Sequence, residues 1–138
     1  MINSKNYIHS DLTEKIIKEV YFVYNKLGTG FLEKVYENAL CKKLKELRLN
    51  VKQQFPINVL FENEVVGQYF ADILVEDKVI LELKTCEILI PIFEVQLVNY
   101  LKATKVEVGL LINFGPKLEI KRRVYSENHI THNKSVLN

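Results

Sequence analysis

Residues 70–84 have the sequence FADILVEDKVILELK, in which two acids and a lysine interrupt two adjacent apolar strands. Charged side chains are almost never fully buried unless they are paired or bind something. Asp72, Glu82 and Lys84 therefore need a partner that accounts for their position, and a divalent metal ion would be one.

The loop between these two strands decides whether the two acids can meet. A three-residue loop at residues 76–78 pairs Val75 with Val79, and Asp72 with Glu82. The same register collects one wholly apolar face, formed by Ile73, Val75, Val79, Leu81 and Leu83. Because a slip of one residue would mix charges into that face, we predict the three-residue loop, with Asp72, Glu82 and Lys84 sharing the other face.

Hydrophobic periodicity predicts the elements on either side of this hairpin. Pro56 restricts the first strand to a sheet edge or a bulge, and Pro91 opens the last helix. The predicted helices cover residues 11–26, 32–47 and 92–104, and the predicted strands cover 51–61, 65–75, 79–84, 106–114 and 118–125. The order α-α-β-β-β-α-β-β predicts a mixed α/β sheet, in which a three-strand antiparallel meander precedes a parallel β-α-β crossover, with helices packed on it.

The composition is that of an ordinary globular domain, with 138 residues, 48% of them hydrophobic and 26% charged. We expect one domain over residues 1–125 and a polar, frayed tail over 126–138. Apolar runs are too short to span a bilayer and the first residues lack an apolar signal core, so we expect a cytoplasmic protein. Cys41 and Cys86 have no metal-type spacing, which favours two reduced, partly buried thiols.

A net charge of only +2 gives no global attraction to a polyanion, so any nucleic-acid contact must come from a local patch. The candidate patch consists of Lys117, Lys121, Arg122 and Arg123. Its alternative is a solvated edge strand, whose basic side chains discourage aggregation.

Two carboxylates on neighbouring strands offer the hard oxygen ligands that Mg²⁺ or Mn²⁺ prefers, with room left for water and a substrate phosphate. Lys84 can hold or deprotonate an attacking water, or stabilise developing negative charge. The set is sufficient for metal-dependent hydrolysis of a phosphodiester. A surface ion-pair cluster would give the same pattern.

Two helices add polar residues to this set. Glu33 lies in the first turn of the second predicted helix, one turn before Tyr36, where an acid also suits the helix dipole. Gln96 and Tyr100 lie on one face of the crossover helix, where they could equally be an ordinary half-buried pair.

Several motifs together resemble those of the GxxExxY proteins, which are assigned to the PD-(D/E)XK nuclease superfamily. The resemblance covers roughly residues 8–124, and Ala71 replaces the proline of the superfamily's name. The matching motifs are Gly30-x-x-Glu33-x-x-Tyr36, Ala71-Asp72, Glu82-Leu83-Lys84, Gln96-x-x-x-Tyr100 and Gly109-Leu-Leu-Ile-Asn-Phe-Gly115.

The resemblance implies a restriction-endonuclease-like core and assigns roles to single residues. Asp72, Glu82 and the backbone carbonyl of Leu83 would bind the metal, and Lys84 would be the catalytic lysine. Glu33 matches the helix acid that some relatives add to the metal site. Gln96 and Tyr100 match the helix motif that positions the lysine or the DNA in RecB-like nucleases, and Tyr36 would help to position the substrate.

The implied activity is a metal-dependent nuclease that hydrolyses phosphodiester bonds in DNA, with RNA as an open alternative substrate. The chain has no room for a separate recognition domain, so we expect selection by shape or by ends rather than by sequence. A homodimer would supply two sites, as in junction-resolving enzymes. The alternatives are a non-catalytic module that binds nucleic acid or a protein, and a purely structural domain whose acids are neutralised by lysines.

Overall fold

The computed structural model describes residues 7–126, and its elements follow the predicted order α-α-β-β-β-α-β-β. The helices are α1 (Ser10–Leu27), α2 (Glu33–Glu46) and α3 (Pro91–Thr104). The strands are β1 (Val51–Phe61), β2 (Glu64–Val75), β3 (Val79–Lys84), β4 (Val108–Phe114) and β5 (Leu118–Val124). The predicted polar tail, apart from Ser126, lies outside the described residues. Within residues 7–126, no helix is long and apolar enough to cross a lipid bilayer.

The five strands form one sheet in the order β1-β2-β3-β4-β5. β3 and β4 are parallel and joined through α3, whereas the other neighbouring pairs are antiparallel. This arrangement confirms the mixed α/β sheet with a meander followed by a crossover. Pro56 lies in β1, which is an edge strand of the sheet. Edge strands tolerate proline because one side of the strand makes no ladder hydrogen bonds.

The β2–β3 hairpin has the predicted register. Val75 lies opposite Val79 and Ile73 lies opposite Leu81, so the connecting loop is residues 76–78. The predicted apolar face of this hairpin is fully buried against α1 and α2. The helices contribute side chains at helical spacing, including Ile16, Val20 and Val23 from α1 and Leu40 and Leu44 from α2.

The other face of the sheet packs against α3. Leu97 and Leu101 of this helix meet Leu74, Ile80 and Leu111 of the strands in a second buried cluster. The sheet is therefore covered on both faces, which explains why β3 and β4 are almost continuously apolar.

The strand β4 begins at Val108, two residues later than predicted. Lys105 ends α3 in a left-handed conformation, and its N–H donates to the carbonyl of Leu101. The N–H of Val106 then donates to the hydroxyl of Thr104 rather than to a neighbouring strand. Residues 105–107 therefore complete the helix cap before the sheet ladder starts.

The two cysteines are free thiols, as predicted, with Cys41 buried and Cys86 half-buried. Burial raises the pKa of the Cys41 thiol to about 11, so this thiol is neutral at physiological pH. Cys41 therefore acts as a small apolar side chain of the core beneath α2.

Candidate active site

The carboxylates of Asp72 and Glu82 replace the backbone ladder at the point where β2 and β3 separate. The N–H of Asp72 donates to Oε1 of Glu82 at 3.0 Å, and the N–H of Leu83 donates to Oδ2 of Asp72 at 2.8 Å. Each acid thus binds the backbone of the opposite strand. The two residues are only 9% and 8% exposed. The three-residue loop therefore brings the two acids together, as the register argument requires.

The burial of this acid pair has an electrostatic cost. Burial, followed by the negative charge of Asp72, raises the pKa of Glu82 to about 8. The pKa of Asp72 is also raised, first by burial and then by the nearby charge of Glu37, although the hydrogen bond from Leu83 opposes this shift. Two adjacent acids with raised pKa values are a feature of sites that bind cations or move protons.

Glu33 and Lys84 lie within electrostatic reach of this pair. Burial raises the pKa of Glu33, the charge of Asp72 adds to the shift, and the charge of Lys84 opposes it. The Lys84 ammonium lies 4.5 Å from the ring centroid of Phe93, so α3 covers one side of this side chain. The predicted set of Asp72, Glu82, Lys84 and Glu33 therefore forms one electrostatic cluster.

Sequence reasoning missed two polar residues that hold Asp72 in place. Glu37 is 1% exposed, and its carboxylate accepts hydrogen bonds from Lys34 at 2.7 Å, Gln53 at 2.8 Å and Gln54 at 2.9 Å. The Gln54 amide also donates to Oδ1 of Asp72 at 3.3 Å. Gln54 has a φ of 51°, in the left-handed region that residues other than glycine rarely adopt. Gln54 thus combines a strained backbone with hydrogen bonds to both Glu37 and Asp72. This combination indicates that Gln54 positions Asp72.

Replacing Gln54 with alanine is expected to lower the affinity for Mn²⁺ roughly tenfold, because groups that orient metal ligands typically contribute 10- to 100-fold. Calorimetric titration of the purified variant would measure the change. Gln68→Ala is the matched control, since the Gln68 amide donates to Asn58 in an exposed pair on the same hairpin. Equal affinities for both variants would contradict the positioning role.

The donor set present here fits a hard divalent cation. Two carboxylates and the backbone carbonyl of Leu83 would supply oxygen ligands, and Mg²⁺ or Mn²⁺ usually keeps further positions for water and phosphate. Residues 7–126 contain no group of three or more His, Cys, Asp or Glu side chains that are placed to hold a metal ion together. Glu33 therefore does not complete a three-carboxylate set in this structure, although it lies close to Asp72.

Tyr36 contributes to the site indirectly. Its ring is fully buried and stacks on Phe114 with the centroids 4.6 Å apart. Its hydroxyl donates to the carbonyl of Gly28 at 2.6 Å and accepts from the N–H of Phe31. Tyr36 therefore holds the loop that leads into Glu33, and its predicted part in positioning a substrate stays a prediction.

Asn113 is a third residue whose role sequence reasoning missed. It is fully buried and lies beside Lys84 in the parallel β3–β4 pair. Its amide bonds the backbone of Cys86 twice, accepting from the N–H at 3.0 Å and donating to the carbonyl at 2.8 Å. This clamp fixes the chain immediately after Lys84. A buried polar residue within the apolar run of β4 was the signal that could have identified it.

Gly115 allows the clamped loop to approach β4 closely. A Cβ atom at this position would lie 2.3 Å from the carbonyl oxygen of Cys86 and 2.9 Å from the amide of Asn113. Gly109 has a similar packing role, because its Cβ would lie 2.6 Å from the Leu97 side chain. The last motif of the resemblance thus has a structural explanation in the support of Lys84 and α3.

Gly115→Ala is expected to destabilise the protein by about 1–3 kcal/mol. The Cys86 carbonyl must move away from the added methyl group, which leaves the buried Asn113 amide unpaired. Chemical denaturation would measure the loss. Gly67→Ala is the matched control, since the nearest atom to its added Cβ is a Tyr69 ring carbon at 3.7 Å, an ordinary contact. The account of Gly115 fails if the two variants have the same stability.

On α3, Gln96 and Tyr100 face a groove of about 540 Å³ that also involves the β1–β2 hairpin. Burial raises the pKa of Tyr100, and the charge of Glu82 and then Tyr69 and Asp72 add to the shift. Tyr100 also packs against the buried cluster that contains Ala71, the residue before Asp72, while Gln96 is exposed at the groove surface.

The basic residues of β5 do not form the single patch that we considered. Lys121 and Arg123 bind Glu94 of α3, with 2.8 Å between the Lys121 ammonium and Oε1 of Glu94. Arg122 instead donates to the carbonyl of Ile8 and lies over the ring of Tyr7, ahead of α1. Successive side chains of a strand point to opposite faces, which separates Arg122 from Lys121 and Arg123. Lys117 is exposed in the turn just before β5.

Comparison with known proteins agrees with this fold. A family model described as the PD-(D/E)XK nuclease superfamily matches residues 10–123. The chain therefore belongs to the PD-(D/E)XK nuclease superfamily, whose nucleases generally use divalent metal ions.

Among solved structures, that of SSO0001 has the same fold, with a TM-score of 0.55 and 20% sequence identity. The match covers 92% of this chain, and the chain spans 65% of the length of that protein. At this identity the likeness shows the fold alone. No curated protein matches the chain.

Proposed function

We propose that this protein is a metal-dependent nuclease that hydrolyses phosphodiester bonds in DNA. The observation that carries the proposal is the buried pair of Asp72 and Glu82, with Lys84 two residues further along the same strand. A domain that only needed stability would gain little from two adjacent buried acids, because their ionised forms repel each other and lose hydration. A divalent cation removes both costs.

In this proposal, the carboxylates of Asp72 and Glu82 and the carbonyl of Leu83 hold Mg²⁺ or Mn²⁺. When bound, the ion acidifies a water molecule and neutralises charge on the phosphodiester. Lys84 orients or deprotonates the attacking water, or stabilises the charge that develops on the phosphate. Glu33 adjusts the local field from the start of α2, and Asn113 keeps Lys84 in position through the Cys86 backbone.

Gln96 and Tyr100 are proposed to contact the substrate, because both line the groove beside the acids. Within the superfamily, we assign the chain to the GxxExxY proteins on the motifs that include Glu33 and Tyr36. The site residues are spread over β2, β3, α2 and α3 of one small domain, which supports selection by shape or ends rather than by sequence.

A homodimer is part of the proposal. The tip of the β1–β2 hairpin exposes apolar side chains at adjacent positions, namely Leu60, Phe61, Val65 and Val66, each more than half exposed. Contiguous exposed apolar surface of this kind typically marks an interaction site. Sedimentation velocity should show a dimer that Phe61→Glu converts to a monomer, whereas a monomeric wild-type protein would contradict this part of the proposal.

A nuclease assay with Mn²⁺ on branched, single-stranded and duplex DNA tests the proposal as a whole. The wild-type protein is expected to cut at least one of these substrates, and chelation of the metal should stop the reaction. Parallel RNA substrates would identify the preferred nucleic acid. Mn²⁺ binding without cleavage of any substrate would contradict the nuclease and favour a non-catalytic binding module.

A further inference from the structure

The groove beside the acid pair has walls of mixed chemistry. It runs between the β1–β2 hairpin and α3, with a volume of about 540 Å³, a size typical of ligand sites. The lining residues that could recognise a nucleotide are Asn58 and Tyr69 from the hairpin and Asn99, Tyr100 and Lys102 from α3.

Tyr69 and Tyr100 form an aromatic pair in the wall of the groove. Their ring centroids are 5.7 Å apart and the rings are inclined at 38°. Tyr69 is 52% exposed, so a large part of its ring faces the groove instead of packing inside the protein. Half-exposed tyrosines offer flat faces on which nucleobases can stack.

The groove adjoins the proposed catalytic site through Tyr100. This side chain lines the groove and also packs against the buried cluster that contains Ala71, the residue before Asp72. A strand whose phosphate lies at the two acids would therefore have a neighbouring nucleotide at the groove. Asn58 and Asn99 add amide donors and acceptors for base edges, and Lys102 adds a positive charge for a phosphate.

We propose that this groove binds an unpaired nucleotide of the strand that is cut at Asp72 and Glu82, an inference that rests on the proposed function. A base inside a duplex has both faces stacked and its pairing edge occupied, so it cannot present a face to Tyr69 and an edge to the asparagines. The substrate class is therefore nucleic acid with an unpaired nucleotide beside the cut, such as a single strand, a flap or a branch point.

The test is a binding measurement that needs no cleavage. Fluorescence anisotropy with labelled oligothymidylate, in Mg²⁺ and in a Lys84→Ala background, would compare Tyr69→Ala with Tyr21→Ala. Tyr21 is the matched control, because it is 51% exposed and lies on α1, which packs on the other face of the sheet. Tyr69→Ala is expected to weaken binding roughly tenfold, within the usual contribution of one stacked base, and Tyr21→Ala should leave it unchanged.

An oligonucleotide series with one abasic position sharpens the result. At one position in the series, loss of the base should weaken binding to the protein that keeps Tyr69. The same abasic oligonucleotide should bind Tyr69→Ala no more weakly than the intact one does, because the contact between base and ring is already absent in that variant. Equal binding by Tyr69→Ala and Tyr21→Ala would overturn the proposal. It would also be overturned by equal affinity for a matched duplex, or by a change of oligomeric state in Tyr69→Ala, which would show that a second copy covers the groove.

These outcomes are separable from those of the proposed function. Tyr69-dependent binding supports the groove assignment even where the wild-type protein cuts no substrate, a result that would contradict the nuclease alone. Suppose that Lys84→Ala lowers the cleavage rate but Tyr69→Ala leaves binding unchanged. This result would contradict only the assignment of the groove.

Discussion

Lys84→Ala is expected to lower the rate of metal-dependent DNA cleavage by roughly 100- to 10,000-fold, the usual contribution of a positioned proton-transfer or charge-stabilising group. The substitution removes the ammonium that lies closest along the strand to the acid pair. Because Lys84 is only partly buried and rests on the ring of Phe93, its loss should leave the fold intact. Single-turnover cleavage at saturating Mn²⁺ would measure the chemical step.

The control is Lys42→Ala, since Lys42 is an exposed lysine that pairs with Glu46 on the outer surface of α2. This variant should cut like the wild-type protein. Mn²⁺ affinity should be largely kept in Lys84→Ala, because the proposed metal ligands are the two acids and a backbone carbonyl. Cleavage by Lys84→Ala at the wild-type rate would remove the lysine from the mechanism.

Glu82→Gln is expected to stabilise the metal-free protein at pH 8. The pKa of Glu82 is raised from 4.5 to about 8 in the folded protein. A raised carboxyl pKa means that the folded state binds the proton more tightly than the unfolded state. The stability from this group is therefore complete below pH 4.5 and is lost as the pH rises to about 8. The neutral amide removes this loss and can still accept the hydrogen bond from Asp72.

The expected gain is a few kcal/mol at pH 8, since one pKa unit corresponds to about 1.4 kcal/mol, and it should vanish near pH 4. Urea unfolding of the metal-free proteins at both pH values would measure it. Glu14→Gln, at an exposed position on α1, is the matched control for replacing a carboxylate with an amide. Added Mn²⁺ should reverse the order by stabilising only the protein that keeps both acids. If Glu82→Gln were less stable than the wild-type protein at pH 8, the predicted direction of the stability change would be wrong.

Sequence patterns were sufficient to predict the β2–β3 hairpin because a single physical requirement fixed it. A slip of one residue would have turned Ile73 and Val75 to the face opposite Leu81 and placed charged side chains on the apolar face. Only one register was therefore consistent with that face. The same register brought Asp72 and Glu82 together. Pro56 and Pro91 were equally informative, because each restricts the backbone regardless of its surroundings.

The partners of the supporting residues could not be predicted, because they depend on contacts between distant segments. Gln54 reaches Asp72 only through its left-handed backbone, and Glu37 meets Gln54 only after α2 packs on the edge strand. Asn113 and Cys86 are brought together by the crossover of α3. Tyr36 had a matching motif position, but its burial follows from packing against Phe114, which the motif does not encode.

Calorimetric titration of Mn²⁺ into the wild-type protein and Asp72→Asn tests the central claim most directly. The account predicts a single site per chain in the wild-type protein and loss of most of its affinity in Asp72→Asn, whose folded state should persist because the amide can still accept from Leu83 N–H. A wild-type protein that binds no Mn²⁺, or an Asp72→Asn variant that binds it equally well, would contradict the claim that these buried acids form a metal site.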